Sequence, residues 1–384
     1  MKTLTFPPTV SYWETKQYLK NVDLLIIGSG IVGLTTAIFY KQRFPKKRVL
    51  IAEKGFLPSG ASTKNAGFAC FGSPSEILAD LENSSEQEVY NLIEKRLGGL
   101  SELRSLVGDE NLNYQPCGGF EIFRPEDENL YQRCLNFIPE VNKQLAAKLD
   151  LTTTYSSVDE RIDEFGFSGV EHLLVNNHEG AIDTGQMMDS LISIARNLGV
   201  IILNGLDAKK FEEGSNSVQV QFGNGLNIKA NKLHIATNGF ASRILPELDV
   251  KPARAQVLIT SEIEGLQPKG TFHMKEGFYY FRNVGNRILF GGGRDLDTEG
   301  ETNDALELTS QIQSKLDEIL ENLILPSTAF EIEHRWAGIM GVGQSKKTIV
   351  KQLSEHVSCA VRLGGMGVAI GTSIGKESAE ILSK

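Results

Sequence analysis

The clearest pattern of hydrophobic and polar positions begins at residue 23, after a polar and aromatic lead-in over residues 1–20. Residues 23–28 form an apolar run, as expected of a β-strand that is buried on both faces. Residues 31–43 carry apolar side chains at helical spacing and end before a proline, and residues 48–53 form a second apolar run. This order predicts a βαβ unit of about thirty residues with parallel strands.

The rest of the chain mixes helical and strand patterns, and its 384 residues exceed the size at which one hydrophobic core stops growing, so two domains are expected. Helices are predicted over residues 76–108, 141–149, 181–198 (with Asp183 or Thr184 as N-cap) and 304–323. Strands are predicted over residues 118–123, 200–203, 217–236 (with a turn at Asn224 and Gly225), 257–263, 277–282 and 287–291. The later part of the chain is therefore rich in antiparallel strands.

Charge and cysteine content exclude several classes of protein. The formal net charge of -9 disfavours a nucleic-acid or anionic-membrane surface, because both require clustered Lys and Arg. The 4 cysteines are far apart and form no CxxC pair, so the sequence predicts neither a metal site nor a disulfide framework, and a reducing, cytoplasmic setting is expected. The apolar residues 24–40 are too few for a transmembrane segment, which needs about 20, and no signal-peptide cleavage site follows them.

A dinucleotide-binding fingerprint joins the first strand to the first helix. Residues 28–33 read GSGIVG and match GxGxxG between a strand and a helix. The first glycine allows the tight turn, the second lets a pyrophosphate approach the backbone, and the third lets the helix pack on the strand. The candidate cofactor-binding residues here are Gly28, Ser29, Gly30, Ile31, Val32 and Gly33.

An acidic residue stands where the fingerprint requires one. Glu53 ends the second strand twenty residues after Gly33, where its carboxylate accepts hydrogen bonds from ribose hydroxyls and repels a 2′-phosphate. Lys54 follows it and is a further candidate for cofactor binding. These features favour NAD or FAD over NADP, but they do not distinguish FAD from NAD, since both contain adenosine and pyrophosphate.

Residues 60–67, GASTKNAG, are where the sequence resembles the FAD-dependent amino acid and amine oxidoreductase family, which includes D-amino acid dehydrogenase, glycine oxidase, sarcosine oxidase and γ-glutamylputrescine oxidase. Small residues suit a segment whose backbone lies along a cofactor. Further similar motifs follow in family order: ATNG at 236–239, PARAQ at 252–256, YYFR at 279–282, RILFGGG at 287–293, RWAG at 335–338 and GGMGV at 364–368.

The resemblance implies FAD as the cofactor. It adds these residues to the cofactor site: Ala61, Ser62, Thr63, Lys64, Asn65, Ala66, Gly67, Ala208, Thr237, Asn238, Gly338, Gly364, Gly365, Met366, Gly367 and Val368. A helix that starts near Val368 is expected to direct its N-terminus at the N1 and C2 carbonyl of the flavin, where reduction places negative charge. The flavin is expected to be noncovalent, because Lys64 stands where some relatives attach it through histidine, and no cysteine lies near Met340.

The resemblance also implies the architecture, an α/β fold with a Rossmann-type FAD-binding domain and a second, mainly antiparallel-sheet α+β substrate domain. The FAD-binding domain is expected to be discontinuous, over residues 1–80, 155–250 and 335–384. The substrate domain is expected over residues 81–154 and 251–334. A small substrate would then lie between the two, over the flavin ring.

The implied reaction is oxidation of a C–N bond in a small amine or amino acid, by hydride transfer to flavin N5, giving an imine that hydrolyses. The electron acceptor is oxygen or another compound, and no catalytic base is required. Tyr279, Tyr280, Arg282 and Met340 are the candidate active-site residues, and strand alternation allows only one of the two tyrosines to face the pocket.

The substrate's carboxylate, if it has one, lacks an obvious partner. Glycine-oxidase-like members carry an arginine two residues after the WAG motif, and Met340 stands there instead. This departure favours an amine, or an acid held by Arg254, Arg282 or Arg294.

Three alternatives remain open at this point. An FAD-dependent hydroxy-acid dehydrogenase uses a related fold, and an NAD-dependent dehydrogenase shares the fingerprint, although residues 60–67 argue against it. The third is a flavin-binding protein without turnover.

Overall fold

The computed structural model describes residues 10–384, so residues 1–9 of the predicted lead-in and of the first FAD-binding segment lie outside the described part. The strands are β1 Val22–Ile27, β2 Val49–Ala52, β3 Phe68–Ala69, β4 Gly119–Phe123, β5 Tyr155–Ser157, β6 His172–Asn176, β7 Gly180–Ala181, β8 Ile201–Leu203, β9 Ala208–Gly214, β10 Ser217–Phe222, β11 Asn227–Ile235, β12 Lys251–Thr260, β13 Thr271–Met274, β14 Tyr279–Val284, β15 Arg287–Gly292, β16 Ile332–Val342, β17 Ile349–Gln352 and β18 Val357–Val361. The α-helices are α1 Tyr12–Glu14, α2 Ile31–Arg43, α3 Pro74–Asn83, α4 Glu86–Val107, α5 Asp109–Leu112, α6 Glu128–Leu149, α7 Ile162–Phe165, α8 Thr184–Asn197, α9 Ser310–Ile319 and α10 Gly367–Leu382.

The first sheet contains the predicted βαβ unit. Its strands follow the order β17-β18-β11-β1-β2-β8, and β10 and β9 extend it from β11. Strand β1 pairs in parallel with β2 and with β11, and β2 pairs in parallel with β8. The prediction of a strand, a helix over residues 31–43 and a second parallel strand is confirmed.

Two helices pack closely on this sheet because small residues allow it. A Cβ atom at Gly371 of α10 would lie 2.7 Å from Cγ2 of Ile31, the first residue of α2. A Cβ atom at Gly375 would overlap the side chain of Thr35. The backbones therefore approach closely where the start of α2 lies beside the second and third turns of α10, and both helix N-termini reach one cavity.

The second sheet follows the order β16-β12-β15-β14-β13-β4-β6-β5 and is antiparallel except where β13 pairs with β4. One face is aromatic: the rings of Phe272 and Phe281 stack at 4.7 Å, and Phe290 contacts Phe281. Helix α9 covers this face through Ile312 and Leu316. The opposite face of this second sheet is directed toward the connecting segments of the first sheet, and the cavity lies between them. The mixed α/β fold with a mainly antiparallel second sheet is confirmed.

The sheets do not follow the predicted domain limits. Strands β5 and β6 fall in the segment 155–250, and most of β16 falls in 335–384, yet all three belong to the second sheet. Strand β16 pairs with β12 along nearly its whole length, which is a contact between distant parts of the chain. Helix α4 lies in the segment 81–154, which was predicted for the substrate domain. Its residue Gly99 nevertheless packs against α10, a helix that packs on the first sheet.

Several helix limits also differ from the prediction. The helical region over 76–108 is two helices, separated where Ser85 begins a new capping box. Helix α6 begins at Glu128 rather than 141, because Pro139 is accommodated inside a helix whose apolar face is buried. The helix predicted over 304–323 begins at Ser310, since Thr309 is extended and donates its amide to Gln256 Oε1. A π-helical turn, Leu320–Ile324, continues it.

Within residues 10–384, none of the helices combines the length and the apolar character needed to cross a lipid bilayer.

Candidate active site

One cavity of about 830 Å³ lies between the two sheets, within the roughly 300–1,000 Å³ typical of small-molecule sites. At one end it contacts the glycine turn after β1, at Gly28 and Gly30. At the other end it reaches the second sheet, at Tyr280 and His273. A ligand that fills it would therefore touch both halves of the molecule.

The glycine turn has the form that a diphosphate requires. A Cβ atom at Gly28 would lie 2.7 Å from the Ala236 carbonyl oxygen, and one at Gly33 would overlap the carbonyl oxygen of Gly28. The amide of Ile31 donates to Ser62 Oγ at 3.0 Å, while the amides of Val32 and Gly33 have no acceptor within residues 10–384. Free amides at a helix N-terminus are the usual binding site for phosphate groups.

Glu53 lies beside this turn, at the end of β2. Its Oε2 accepts hydrogen bonds from the Ser29 amide (3.0 Å) and from Ser29 Oγ (2.8 Å), and its Oε1 accepts from the Gly55 amide (2.9 Å). These three donors hold a carboxylate that is 7% exposed on the cavity wall. The remaining lone pairs are available to ribose hydroxyls.

Residues 60–67 form the next part of the wall. Asn65 holds this segment: its Nδ2 donates to the carbonyls of Ala61 (3.1 Å) and Ser62 (2.9 Å), and its Oδ1 accepts from the Gly67 amide (2.9 Å). The Trp336 indole donates to the Lys64 carbonyl at 3.0 Å. The family-like motif at 335–338 therefore contacts the motif at 60–67 directly.

The first turn of α10 closes the same cavity. The amides of Gly367, Val368 and Ala369 have no acceptor within the described residues, and Met366 provides no side-chain cap. Asn238 Oδ1 accepts from the Leu363 amide at 3.2 Å and ties the end of β11 to this loop. These free amides and the helix dipole suit a group that becomes negative when it is reduced. The two helix N-termini, the carboxylate and the small-residue segment together fit FAD.

Comparison with known proteins decides the family. The family model described as "FAD dependent oxidoreductase", abbreviated DAO, matches residues 23–381. The chain belongs to this family. Its members depend on FAD, so the FAD-dependent oxidoreductase reading and the cofactor are confirmed, and the NAD-dependent alternative is not retained.

Solved structures share the fold of this oxidoreductase at low identity. L-proline dehydrogenase from P. horikoshii has a TM-score of 0.74 and 16% identity, covering 95% of this chain and 94% of that one. Glycine oxidase from Geobacillus kaustophilus has 0.74 and 18%, covering 94% and 94%. Iminodiacetate oxidase from Chelativorans sp. BNC1 has 0.73 and 18%, covering 94% and 95%. Among curated proteins, no sequence relative was found.

Most of the predicted site residues line the cavity of this oxidoreductase. They are Gly28, Gly30, Ile31, Val32, Glu53, Lys54, Ala61, Ser62, Lys64, Asn65, Ala66, Gly67, Ala208, Thr237, Asn238, Tyr280, Gly338, Met340, Gly364, Gly365, Met366, Gly367 and Val368. Ser29, Gly33, Thr63, Tyr279 and Arg282 do not line it. Ser29 instead holds Glu53, Gly33 packs under the turn, and Thr63 Oγ1 donates to the Pro58 carbonyl at 2.6 Å.

The two tyrosines of the YYFR motif lie on opposite faces of β14. Tyr280 lines the cavity, whereas Tyr279 is 1% exposed in the core under α9. Arg282 is also buried, and its Nη1 donates to the carbonyls of Gly67 and Ile182, both at 2.8 Å. Arg282 therefore holds the end of the segment 60–67 and is not available to a substrate.

The other two candidate arginines, Arg254 and Arg294, differ in whether their guanidinium groups are available to a substrate. Arg254 is paired with buried Glu301, so it is not available either. Arg294 lines the cavity, and its guanidinium has no hydrogen bond or ion pair within residues 10–384. Met340 also lines the cavity, with its sulfur near the backbone of Gly365.

Sequence reasoning missed the polar and aromatic group at the second-sheet end of the cavity: Phe68, Cys70, Glu76, His273, Glu276 and Phe278. The rings of Phe68 and His273 meet edge to face at 5.0 Å, and Phe68 meets Tyr280 at 5.8 Å. Alternation of side chains between the two faces of a strand over residues 271–274 would have placed His273 on the cavity wall. Strand β13 itself was not predicted, so this signal was not used.

Burial shifts the ionisation of several groups behind this wall. Burial raises the pKa of Glu179 to about 8 and that of Glu121 to about 7. Burial lowers the pKa of His273 and raises the pKa of the Cys70 thiol, which makes that thiol a poor nucleophile. At the end of the cavity next to the second sheet, the pKa values of these groups are therefore shifted from their usual values.

Proposed function

We propose that this oxidoreductase oxidises the C–N bond of a small amine or amino acid. The observation that carries the proposal is the continuity of the cavity, from the diphosphate-type turn at Gly28 to the aromatic wall of Phe68 and Tyr280. When bound, FAD accepts a hydride from the carbon that bears the amine, and the imine product hydrolyses in water. The protein's task is to orient that carbon and to exclude water.

The aromatic wall suits an amine-bearing carbon. Phe68 and Tyr280 meet edge to face and leave ring surface toward the cavity, which favours an alkyl group or a cationic amine. Proline, glycine and iminodiacetate, after which the structurally similar enzymes are named, all contain an amine. This supports amine chemistry over the oxidation of a hydroxy acid.

The arginines near the cavity limit which residue could bind a carboxylate group of the substrate. Arg254 and Arg282 are committed to Glu301 and to backbone carbonyls, and the position two residues after the WAG motif holds Met340. The substrate is therefore an amine without a carboxylate, or an acid held by Arg294 at the cavity wall. The electron acceptor is oxygen or another compound.

FAD is proposed to be held noncovalently. The amide of Val32 would hold the pyrophosphate, Glu53 the ribose, and the amides of Gly367 and Val368 the flavin carbonyl. Denaturation in acid followed by ultrafiltration should release all yellow colour into the filtrate. Colour that stays with the polypeptide would contradict noncovalent binding.

The deciding experiment is anaerobic flavin bleaching. Purified protein loaded with FAD is mixed with panels of primary and secondary amines, amino acids and hydroxy acids, and the flavin absorbance is followed. Bleaching by amines or amino acids supports the proposal. Bleaching by hydroxy acids alone indicates a hydroxy-acid dehydrogenase, and no bleaching by any panel indicates a flavin-binding protein without turnover.

A cytoplasmic location is part of the proposal. Cys70, Cys117, Cys134 and Cys359 are all free thiols in the structure, which suits a reducing compartment. Cell fractionation with an antibody to the chain tests it.

A further inference from the structure

We propose that His273 accepts the proton of the substrate's ammonium group, and that the buried carboxyl of Glu179 positions the His273 ring for this step. The inference rests on the proposed function, since it concerns an amine substrate. It adds a proton acceptor to a reaction for which the family resemblance requires none.

His273 is placed to meet a ligand. It lines the cavity from β13, beside Tyr280 of β14, and it is 7% exposed. Its side chain has no hydrogen bond within residues 10–384, and its Nε2 atom is buried without a partner. Because this Nε2 lies on the Glu179 side, Nδ1, which also has no hydrogen bond within the described residues, is the ring atom that remains for a ligand in the cavity.

Glu179 lies behind His273, away from the cavity. Its Oε2 is 3.9 Å from His273 Nε2, and its Oε1 accepts from the amides of Phe71 (2.8 Å) and Gly72 (3.1 Å). The facing residue of β4 is Gly119, where a Cβ atom would overlap Glu179 Oε2. The backbone thus makes room for this carboxyl and fixes it with two donors, which leaves its second oxygen facing the imidazole.

The chemistry calls for such a pair. A simple alkylamine has a pKa near that of lysine, about 10.4, so it arrives as an ammonium ion, which has no lone pair to give to a C=N bond. In the proposed step, one N–H bond of the ammonium breaks, its electron pair stays on nitrogen, and the proton bonds to Nδ1 of His273. The imidazolium then carries its positive charge beside the Glu179 carboxylate, through Nε2–H.

The ionisation of Glu179 sets the direction of the pH dependence. Burial and the nearby charge of Glu76 raise its pKa to about 8, and Arg96 opposes this. Below that pH, Glu179 is protonated and offers no negative charge to an imidazolium. Above it, the carboxylate is ionised, and its negative charge beside the ring opposes the burial that lowers the pKa of His273. The capacity of the pair to accept a proton therefore rises as the pH passes about 8.

Other titratable groups surround the pair, and each could contribute to a pH profile. They are Glu76 of α3, Arg96 of α4, Cys70 after β3, Tyr114 and Cys117 before β4, Glu121 of β4, Tyr155 of β5 and Tyr280 of β14. Glu121 is the closest analogue of Glu179, because it is also a buried carboxyl, but it is hydrogen-bonded to Ser75 and forms no ion pair with His273. Glu121 therefore provides the matched control.

The test compares the pH dependence of anaerobic flavin reduction in four proteins: wild type, His273→Gln, Glu179→Gln and Glu121→Gln. The substrate is the amine that bleaches the wild type fastest. Wild type should show an ionisation near pH 8. His273→Gln should be slower by at least about tenfold at pH 8, and the difference should close above the pKa of the amine, where solution supplies the neutral form. Glu179→Gln should lose the ionisation, while its amide oxygen keeps the bonds to Phe71 and Gly72, and Glu121→Gln should keep it.

A second readout does not depend on turnover. tert-Butylamine has no hydrogen on the carbon that bears nitrogen and cannot be oxidised, so its binding to the FAD-loaded protein can be followed by calorimetry at pH 8.5 in buffers of different ionisation enthalpy. In wild type, the amine's proton should stay in the complex. In His273→Gln, about one proton should be released per amine bound.

The possible outcomes separate the two proposals. If His273→Gln has the wild-type pH profile and proton release, the role of His273 is overturned and the proposed function stands. If Glu121→Gln rather than Glu179→Gln loses the ionisation, the positioning role of Glu179 is overturned. If no amine or amino acid bleaches the wild-type flavin, the proposed function fails, and this inference fails with it.

Discussion

The guanidinium of Arg254 and the carboxylate of Glu301 form a buried, two-pronged ion pair. Nε of Arg254 donates to Oε2 at 2.9 Å and Nη2 donates to Oε1 at 2.6 Å, with side-chain exposures of 5% and 2%. Gln256 also donates to the same carboxylate at 3.1 Å. The pair ties β12 to the loop after β15 and explains why Arg254 is not a substrate ligand.

Removal of this arginine should destabilise the protein strongly. Arg254→Met leaves the Glu301 charge buried without its partner, so the free energy of unfolding should fall by about 3–5 kcal/mol, as measured by urea denaturation. Lys210→Ala is the control, because Lys210 and Glu212 pair with exposures of 61% and 75%. That change should alter stability by less than about 1 kcal/mol. Equal effects of the two substitutions would contradict the structural role given to Arg254.

Two adjacent glycines of α4 should respond to alanine in opposite ways. Nothing lies within 4 Å of a Cβ atom at Gly98, whereas one at Gly99 would overlap the carbonyl oxygen of Ala369 in α10. Gly98→Ala should stabilise the protein by roughly 0.5–1 kcal/mol, through reduced chain entropy. Gly99→Ala should destabilise it by about 1–3 kcal/mol.

Gly99→Ala should also weaken FAD binding, because it displaces the first turn of α10, whose free amides face the cavity. Titration of the apoprotein with FAD, followed by quenching of flavin fluorescence, measures this. Gly98→Ala should leave the FAD dissociation constant unchanged. An unchanged constant in both variants would mean that the α10 turn does not contact the cofactor.

Loss of charge at Glu53 should weaken FAD binding. Glu53→Gln replaces a carboxylate that accepts from Ser29 and Gly55 and that would also accept from ribose. Hydrogen bonds to a charged group contribute about 1.5–3 kcal/mol, so the FAD dissociation constant should rise about 10- to 100-fold. Ser29→Ala is the milder control, since the amide of Ser29 still donates to the carboxylate. The ribose assignment fails if Glu53→Gln binds FAD like wild type.

An arginine at position 340 should shift substrate preference toward acids. Met340→Arg adds a planar fork to the cavity wall, which can bind both oxygens of a carboxylate. The ratio of kcat/KM for glycine over methylamine should rise by about tenfold or more, the effect of about 1.4 kcal/mol. Met340→Lys, with a charge but no fork, should raise it less, and Met340→Leu should leave it unchanged. A ratio that does not respond to Met340→Arg would show that the substrate lies elsewhere in the cavity.

Local sequence patterns were sufficient to predict the structure of the first part of the chain. The helix predicted over residues 31–43 has those limits in the structure, and the glycine turn joins it to β1 as expected. Periodicity and glycine spacing act within a few residues, so they can be read without knowledge of the partners. The motifs after residue 53 extended this to the family, because they occur in family order and each includes residues that line the cavity.

What the sequence by itself determined is thus the βαβ unit, the dinucleotide turn and the membership of an FAD-dependent family. Only the tertiary structure decided which side chains meet. Glu179 bonds to Phe71, 108 positions away, and Arg254 to Glu301, 47 positions away. Strand β16 joined the second sheet and His273 came to face the cavity because of pairing register. Register depends on long-range contacts between strands and the face they bury, and no pattern within one segment of the chain records it.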